Sequence, residues 1–263
     1  MEKLKVSVEV CKDKFEEISV DVEYNIICEL SKHQFFYNND MLNNFFIQKS
    51  KVQDVWRYKV EVNKKGIQKL IPGNFGRNLI YVNKQINNFC DFQITKNLEN
   101  NIVLLLESPH KSEIKLDLDG YYMGIAPAQG KKPFDAGNLI EKHLCDVLKG
   151  IKLKDNSYNF LIVNPIQYQT SLGSLLFGKL NNRLRNDVWL KLWNIDDMRE
   201  CFLQRIEYYK PLVIINACTE KLKDYIDIEL CREGYGKIIY HSYHPAVNWS
   251  IANRRIIRKL KND

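Results

Sequence analysis

The 263-residue chain carries 39 Lys and Arg against 32 Asp and Glu, a net charge of +7, and is 45% hydrophobic; that is enough apolar material for a packed core and too much for a disordered chain. No apolar run approaches the roughly 20 residues needed to cross a bilayer, and the N-terminal MEKLKVSVEVCKDKFEE lacks an uninterrupted signal-type apolar segment, so a cytoplasmic protein with no membrane partner is expected. The positive balance permits a polyanionic partner without requiring one.

From Val6 to about Phe92 the chain leans towards strands, with the alternating stretches VSVEV, ISVDVEY, WRYKVEV and LIYV separated by Asn- and Lys-rich segments. No chemical motif falls there, and residues 1–98 are read as a strand-rich accessory region. After about Leu98 the pattern changes to buried apolar runs, IVLLLE (102–107), FLIVN (160–164), LVIIN (212–216) and KIIYHSYH (237–244), alternating with amphipathic helices. This predicts a second region, 99–263, built as a three-layer α/β/α sandwich around a central parallel sheet. Leu139, Ile140, His143, Leu144, Val147 and Leu148 stripe one face of a helix over about 136–149, and a further helix is expected after Trp249.

The seven cysteines, at 11, 28, 90, 145, 201, 218 and 231, include no CxxC pair and no clustered metal-site spacing, so they are read as reduced, mostly structural thiols. His241 and His244, three apart in an extended strand, point to opposite faces, and no metal or other cofactor is expected. Ser108 and His110 lack the glycine elbow of an acyl-transfer nucleophile.

In open α/β sheets ligands bind beyond the carboxyl ends of the strands. The polar residues placed there are Glu107-Ser108-Pro109-His110, Asn164-Pro165, Asn216 and His244-Pro245. With LLLESPHK (104–111), KPFDAGNLIEKHL (132–144), FLIVNP (160–165) and YHPAVNW (243–249) in this order, the chain resembles the uracil-DNA glycosylase superfamily over about 165 residues.

The resemblance implies a DNA glycosylase that flips a base from DNA and hydrolyses its N-glycosidic bond, leaving an abasic site. Such chemistry needs a carboxylate near the oxocarbenium-like sugar and a donor near the departing base. By resemblance Glu107 and His244 fill these two roles. The same resemblance has Phe134 stack on the extruded base, Asn164 read its edge, and Ser108 and His110 complete the base pocket. It also puts Val247, Asn248 and Trp249 at the DNA-wedge position. The basic residues Arg254, Arg255 and Arg258 are read as a phosphate-binding helix face. For several of these the sequence leaves a plainer role open: core packing for Phe134 and Trp249, a turn for Asn164, and a solvated face for the arginines.

Ser108 stands where the uracil-specific branch has its catalytic Asp, and His110 where it has the gating Tyr. Glu107 matches the iron–sulfur branch, whose cluster cysteines are missing. The expected substrate is therefore a modified or unusual base, including a hypermodified base of phage DNA in an antiphage role. A non-catalytic module recognising such a base, ordinary uracil repair and free-nucleoside hydrolysis remain the alternatives.

Overall fold

The computed structural model describes residues 2–11, 14–22, 51–64, 66–72, 99–116, 122–170 and 178–260. The alternating N-terminal stretches form two antiparallel hairpins, β1 (Glu2–Cys11) with β2 (Lys14–Val22) and β3 (Val55–Asn63) with β4 (Gly66–Pro72); the LIYV stretch at 79–82 lies outside the described residues. There follow β5 (Asn101–Leu105), β6 (Ile114–Leu116), β7 (Tyr122–Gly124), helix α1 (Ala136–Leu148), β8 (Asn156–Val163), α2 (Gly178–Trp193) and α3 (Asp196–Tyr209). The chain continues through β9 (Pro211–Asn216), α4 (Glu220–Arg232), β10 (Ile239–His241), the short α5 (Pro245–Asn248) and β11 (Arg258–Lys259).

The chain divides into two compact units. One comprises Met1–Val52, Ser108–Gly124 and Ile166–Phe202. Its buried side chains include Ile18, Val20, Leu184, Val188 and Met198, and Trp189 stacks on Trp193 with ring centroids 5.0 Å apart.

The other unit, Gln53–Glu107, Ile125–Pro165 and Leu203–Asp263, holds a seven-stranded sheet in the order β11-β10-β9-β5-β8-β3-β4. The expected α/β architecture is present, with one difference. The apolar runs β10, β9, β5 and β8 are mutually parallel, but β3, β4 and β11 extend the sheet antiparallel. All five residues of β5 are buried, which requires cover on both faces because successive side chains point to opposite sides. Ile102, Leu104, Phe160, Ile162, Val213 and Ile215 pack with Leu139, Ile140, Leu144, Val147 and Leu148 of α1 in one core. The alternate residues Val103, Leu105, Leu161, Val163 and Ile214 are buried too, as are Ile206 of α3 and Leu222, Ile226 and Leu230 of α4. The stripe expected on α1 is thus the buried stripe, apart from His143 at its margin.

A boundary at 98/99 does not separate these units. WRYKVEV, placed by its sequence in the accessory region, becomes β3 and pairs along β8 from Val55↔Ile162 to Val62↔Asn156. An alternating strand needs a partner edge, and β8 offers the backbone groups that β5 leaves unpaired on its far side. Conversely, residues 108–124 and 166–202 cluster with the N-terminal residues. The helix expected after Trp249 is also replaced, by a single 3-10 turn (Ala252–Arg254) and the two-residue β11. Tyr240 and His241 of β10 offered an open edge, and Lys259 and Arg258 pair with them. Among the described residues no helix is long and apolar enough to cross a membrane.

Candidate active site

The four parallel strands end level. Leu105 pairs with Val163 on one side and Asn216 on the other, and Asn216 pairs with His241. The ladder runs one residue further: Leu106 N–H donates to Val163 O (2.9 Å), Ala217 N–H to Leu105 O (3.0 Å) and Ser242 N–H to Asn216 O (3.1 Å). Glu107, Asn164, Cys218 and His244 therefore follow directly at the same carboxyl edge. By this register Asn164 stands level with Leu106, one residue before Glu107 on the neighbouring strand about 4.8 Å away, and His244 follows β10, which is separated from β5 by β9.

Glu107 is buried and so is not a surface carboxylate. Beside it, the Cys218 thiol donates to Leu106 O at 3.1 Å. Burial pushes that thiol well up, and the Glu107 and Asp227 charges add to the shift, so Cys218 stays neutral and is no nucleophile. Cys145, Cys201, Cys218 and Cys231 are all free thiols.

Asn164 is fully buried, and neither its Oδ1 nor its Nδ2 has a hydrogen-bond partner among the described residues. Leaving a buried amide unpaired costs about 1–3 kcal/mol, so a ligand that pairs with it recovers that cost. Its backbone, by contrast, is gripped. The amide hydrogen-bonds the Asp54 carboxylate, and Arg205 donates to Asn164 O and Pro165 O at 3.1 Å each. Arg205 also pairs with Asp54, which accepts a further bond from the Tyr209 hydroxyl at 2.9 Å. Burial pushes the Asp54 carboxyl above the usual range, and Arg205 and Tyr209 draw it back.

His244 opens the turn into α5, where Pro245 supplies a preset first helical residue. Its Nδ1 accepts from Ala246 N–H at 3.2 Å, so in the neutral ring the proton sits on Nε2, the atom that can donate. Behind it Asp227 of α4 ties two strand ends together, accepting from Asn216 Nδ2 (2.9 Å) and bonding His241 Nε2 (2.6 Å).

Phe134 is 61% exposed, so it is not a core residue. It lies in the turn before α1, whose shape is set by close backbone approach. A Cβ on Gly137 would fall 2.1 Å from Ala128 O and 2.7 Å from Gly130 O. Arg57, on β3, donates to Pro127 O and Ala128 O and anchors the start of the same loop.

Of the remaining expected positions, Trp249 and Arg255 depart from the expectation. Trp249 is no wedge: it is fully buried within the α1-side core, and its indole N–H donates to Tyr243 O at 2.9 Å. An aromatic eight residues after a strand end fits a plug as well as a wedge, and the core had room for it. Arg255 turns inward, donating to Trp249 O (2.6 Å) and Ser250 O (3.3 Å) with Asp146 3.7 Å away. Asn248 accepts from Arg254 at 2.8 Å, and Arg254 also lies over the Tyr243 ring. Arg254 and Arg258 are exposed, and Val247 lies in α5. Ser108 and His110 belong to the other unit, where Ser108 Oγ bonds Thr170 Oγ1 (2.7 Å) and the exposed His110 bonds Ser112 (3.1 Å).

Asp54, Arg205 and Tyr209 escaped the sequence reading. One signal was present: Phe202, Arg205, Ile206 and Tyr209 recur at helical spacing, so an arginine sits on an otherwise apolar stripe. No protein-family model, no curated protein and no solved structure matches the chain.

Proposed function

We propose that the carboxyl edge of the sheet is the active site of a DNA glycosylase acting on a modified or unusual base. The observation that carries this reading is the placement of a buried carboxylate, a buried amide without a partner among the described residues and a histidine whose Nδ1 accepts from a backbone N–H, all just beyond the level carboxyl ends of adjacent parallel strands. Hydrolysis breaks the bond from the sugar C1′ to the base nitrogen, and the bonding pair leaves with the base. Glu107 stabilises the cationic sugar and orients the water that adds to C1′, taking up the proton which that water loses. His244 Nε2–H donates to the negative charge growing on the base, and the Asn164 amide pairs with the base edge. Exposed Phe134 supplies a ring face for stacking. Exposed Arg254 and Arg258 supply positive charge for phosphates.

The chain directly after Glu107 reads Ser-Pro-His, in place of the Asp and Tyr that the uracil-specific pattern puts there, which favours a base other than uracil. The test presents the protein with oligonucleotides carrying uracil, other deaminated bases and alkylated bases, and with naturally hypermodified phage DNAs, and reads released bases and abasic sites by mass spectrometry. Release is expected from a modified DNA, faster than from uracil DNA under single-turnover conditions. DNA bound without release from any substrate would instead make the protein a recognition module, and uracil released fastest would return it to ordinary repair.

A further inference from the structure

A buried and multiply bonded pair of charges is hydrogen-bonded to the backbone of Asn164, whose side-chain amide has no partner among the described residues. Asp54 and Arg205 are both buried, and a buried ion pair is a poor stabilising device, because desolvating two charges offsets most of their attraction. What this pair does is geometric. Its two charges take hold of opposite ends of one residue: the Asn164 backbone N–H donates to the Asp54 carboxylate, and the Asn164 backbone carbonyl accepts from Arg205. The guanidinium extends the grip to Pro165 O, and the Tyr209 hydroxyl fixes the carboxylate from its other side. The residue so gripped keeps both side-chain amide atoms without a partner among the described residues.

From this juxtaposition we infer that Asp54, Arg205 and Tyr209 form a positioning clamp, which fixes the Asn164 backbone so that its side-chain amide stands preset for a donor–acceptor ligand edge. The inference rests on the glycosylase reading for the identity of that ligand, a nucleobase, and on geometry alone for the clamp. An amide with no partner of its own has several rotamers open to it, and a recognition group that wanders forfeits affinity and rate to reordering. Bonding the backbone on both sides fixes the point from which the side chain starts, and full burial limits the rotamers open to it, without using either recognition atom. Arg is needed rather than Lys, because the two carbonyls and the carboxylate are met by a rigid fork with several donors.

The test uses Arg205→Lys, which keeps a charge for Asp54 and loses the fork, and reads the Asn164 side-chain NH2 signals in 1H–15N spectra of the full chain, identified by their loss in Asn164→Ala. The clamp predicts one sharp signal pair in the parent protein, and broadening or splitting of that pair in Arg205→Lys while distant backbone signals hold. On a cleavable DNA the same variant should lose about tenfold to a hundredfold in kcat with KM moving less than about threefold. Unchanged Asn164 signals in Arg205→Lys overturn the clamp, whatever the activity. Changed signals with no base release by the parent protein uphold the clamp and overturn the glycosylase reading. Should Arg205→Lys fail to fold, Tyr209→Phe, which removes one bond to Asp54, is read in the same way: broadened or shifted Asn164 signals support the clamp and unaltered ones overturn it.

Discussion

The end of β8 and the segment after β10 both carry polar residues just beyond a strand of the sheet, and they treat them in opposite ways. After β10, the side chains of Trp249, Arg254 and Arg255 are bonded back onto their own segment, to Tyr243 O, to Asn248 and to Trp249 O with Ser250 O. After β8, the backbone of Asn164 is fully engaged while its side-chain amide has no partner among the described residues. Polar groups that satisfy one another hold a loop in shape. A buried polar group left unsatisfied costs stability, and such a cost persists where a ligand relieves it. The contrast gives Trp249 and Arg255 an architectural part and supports the recognition role proposed for the strand end.

Four perturbations break or sharpen that contrast. Trp249→Ala strikes the architectural side, and the loss of a fully buried indole should lower unfolding free energy by about 3–5 kcal/mol in urea titrations; a variant of parental stability with weakened DNA binding would restore Trp249 as a wedge. Glu107→Gln strikes the chemical side, lowering single-turnover base release by about a hundredfold or more, near 2.7 kcal/mol in the transition state, with DNA affinity retained. Equal rates would move the catalytic carboxylate elsewhere. Gly137→Ala is smaller: alanine favours a helix by about 1 kcal/mol, but its Cβ meets backbone at 2.1 Å, so thermal unfolding should report a net loss of about 1–3 kcal/mol. A stabilised variant would show that the Phe134 turn yields easily. Least disruptive is Arg254→Ala with Arg258→Ala, where folding should hold and the log–log salt slope of DNA binding should flatten by about two units, one per lost phosphate contact. An unchanged slope would leave both arginines merely solvated.

The parallel core was legible because buried strands read as unbroken apolar runs, and because the α/β rule directs attention to the residues just after them. Glu107, Asn164 and His244 were found in this way and lie at one edge. The α1 stripe was legible from its helical period. Less legible were features fixed by long-range partners. WRYKVEV declares a half-buried strand but not that β8 is its neighbour, and the departure of residues 166–202 into the other unit leaves no local mark. The tail misled because basic residues around Ile256 and Ile257 fit a helix as well as an edge strand, and the open side of β10 decided between them. Arg205 was visible as an oddity on an apolar stripe, but Asp54, about 150 positions earlier, gave no hint of being its partner.

The pairing of β11 with β10 also bears on motion. Tyr240 and His241 lie on adjacent rungs with Lys259 and Arg258, and Leu260 N–H reaches Ile239 O at 2.9 Å, so the chain that departs at Ser242 returns to within one strand spacing of where it left. Such a closed loop has its ends tied and a large indole seated in the core. It cannot open by fraying from one side. Its amides should therefore exchange with solvent as a block, on the timescale at which Trp249 leaves its socket, and far more slowly than the surface position of the loop suggests. His244 would then owe its steadiness less to the helical turn it precedes than to a residue five positions away that never meets solvent.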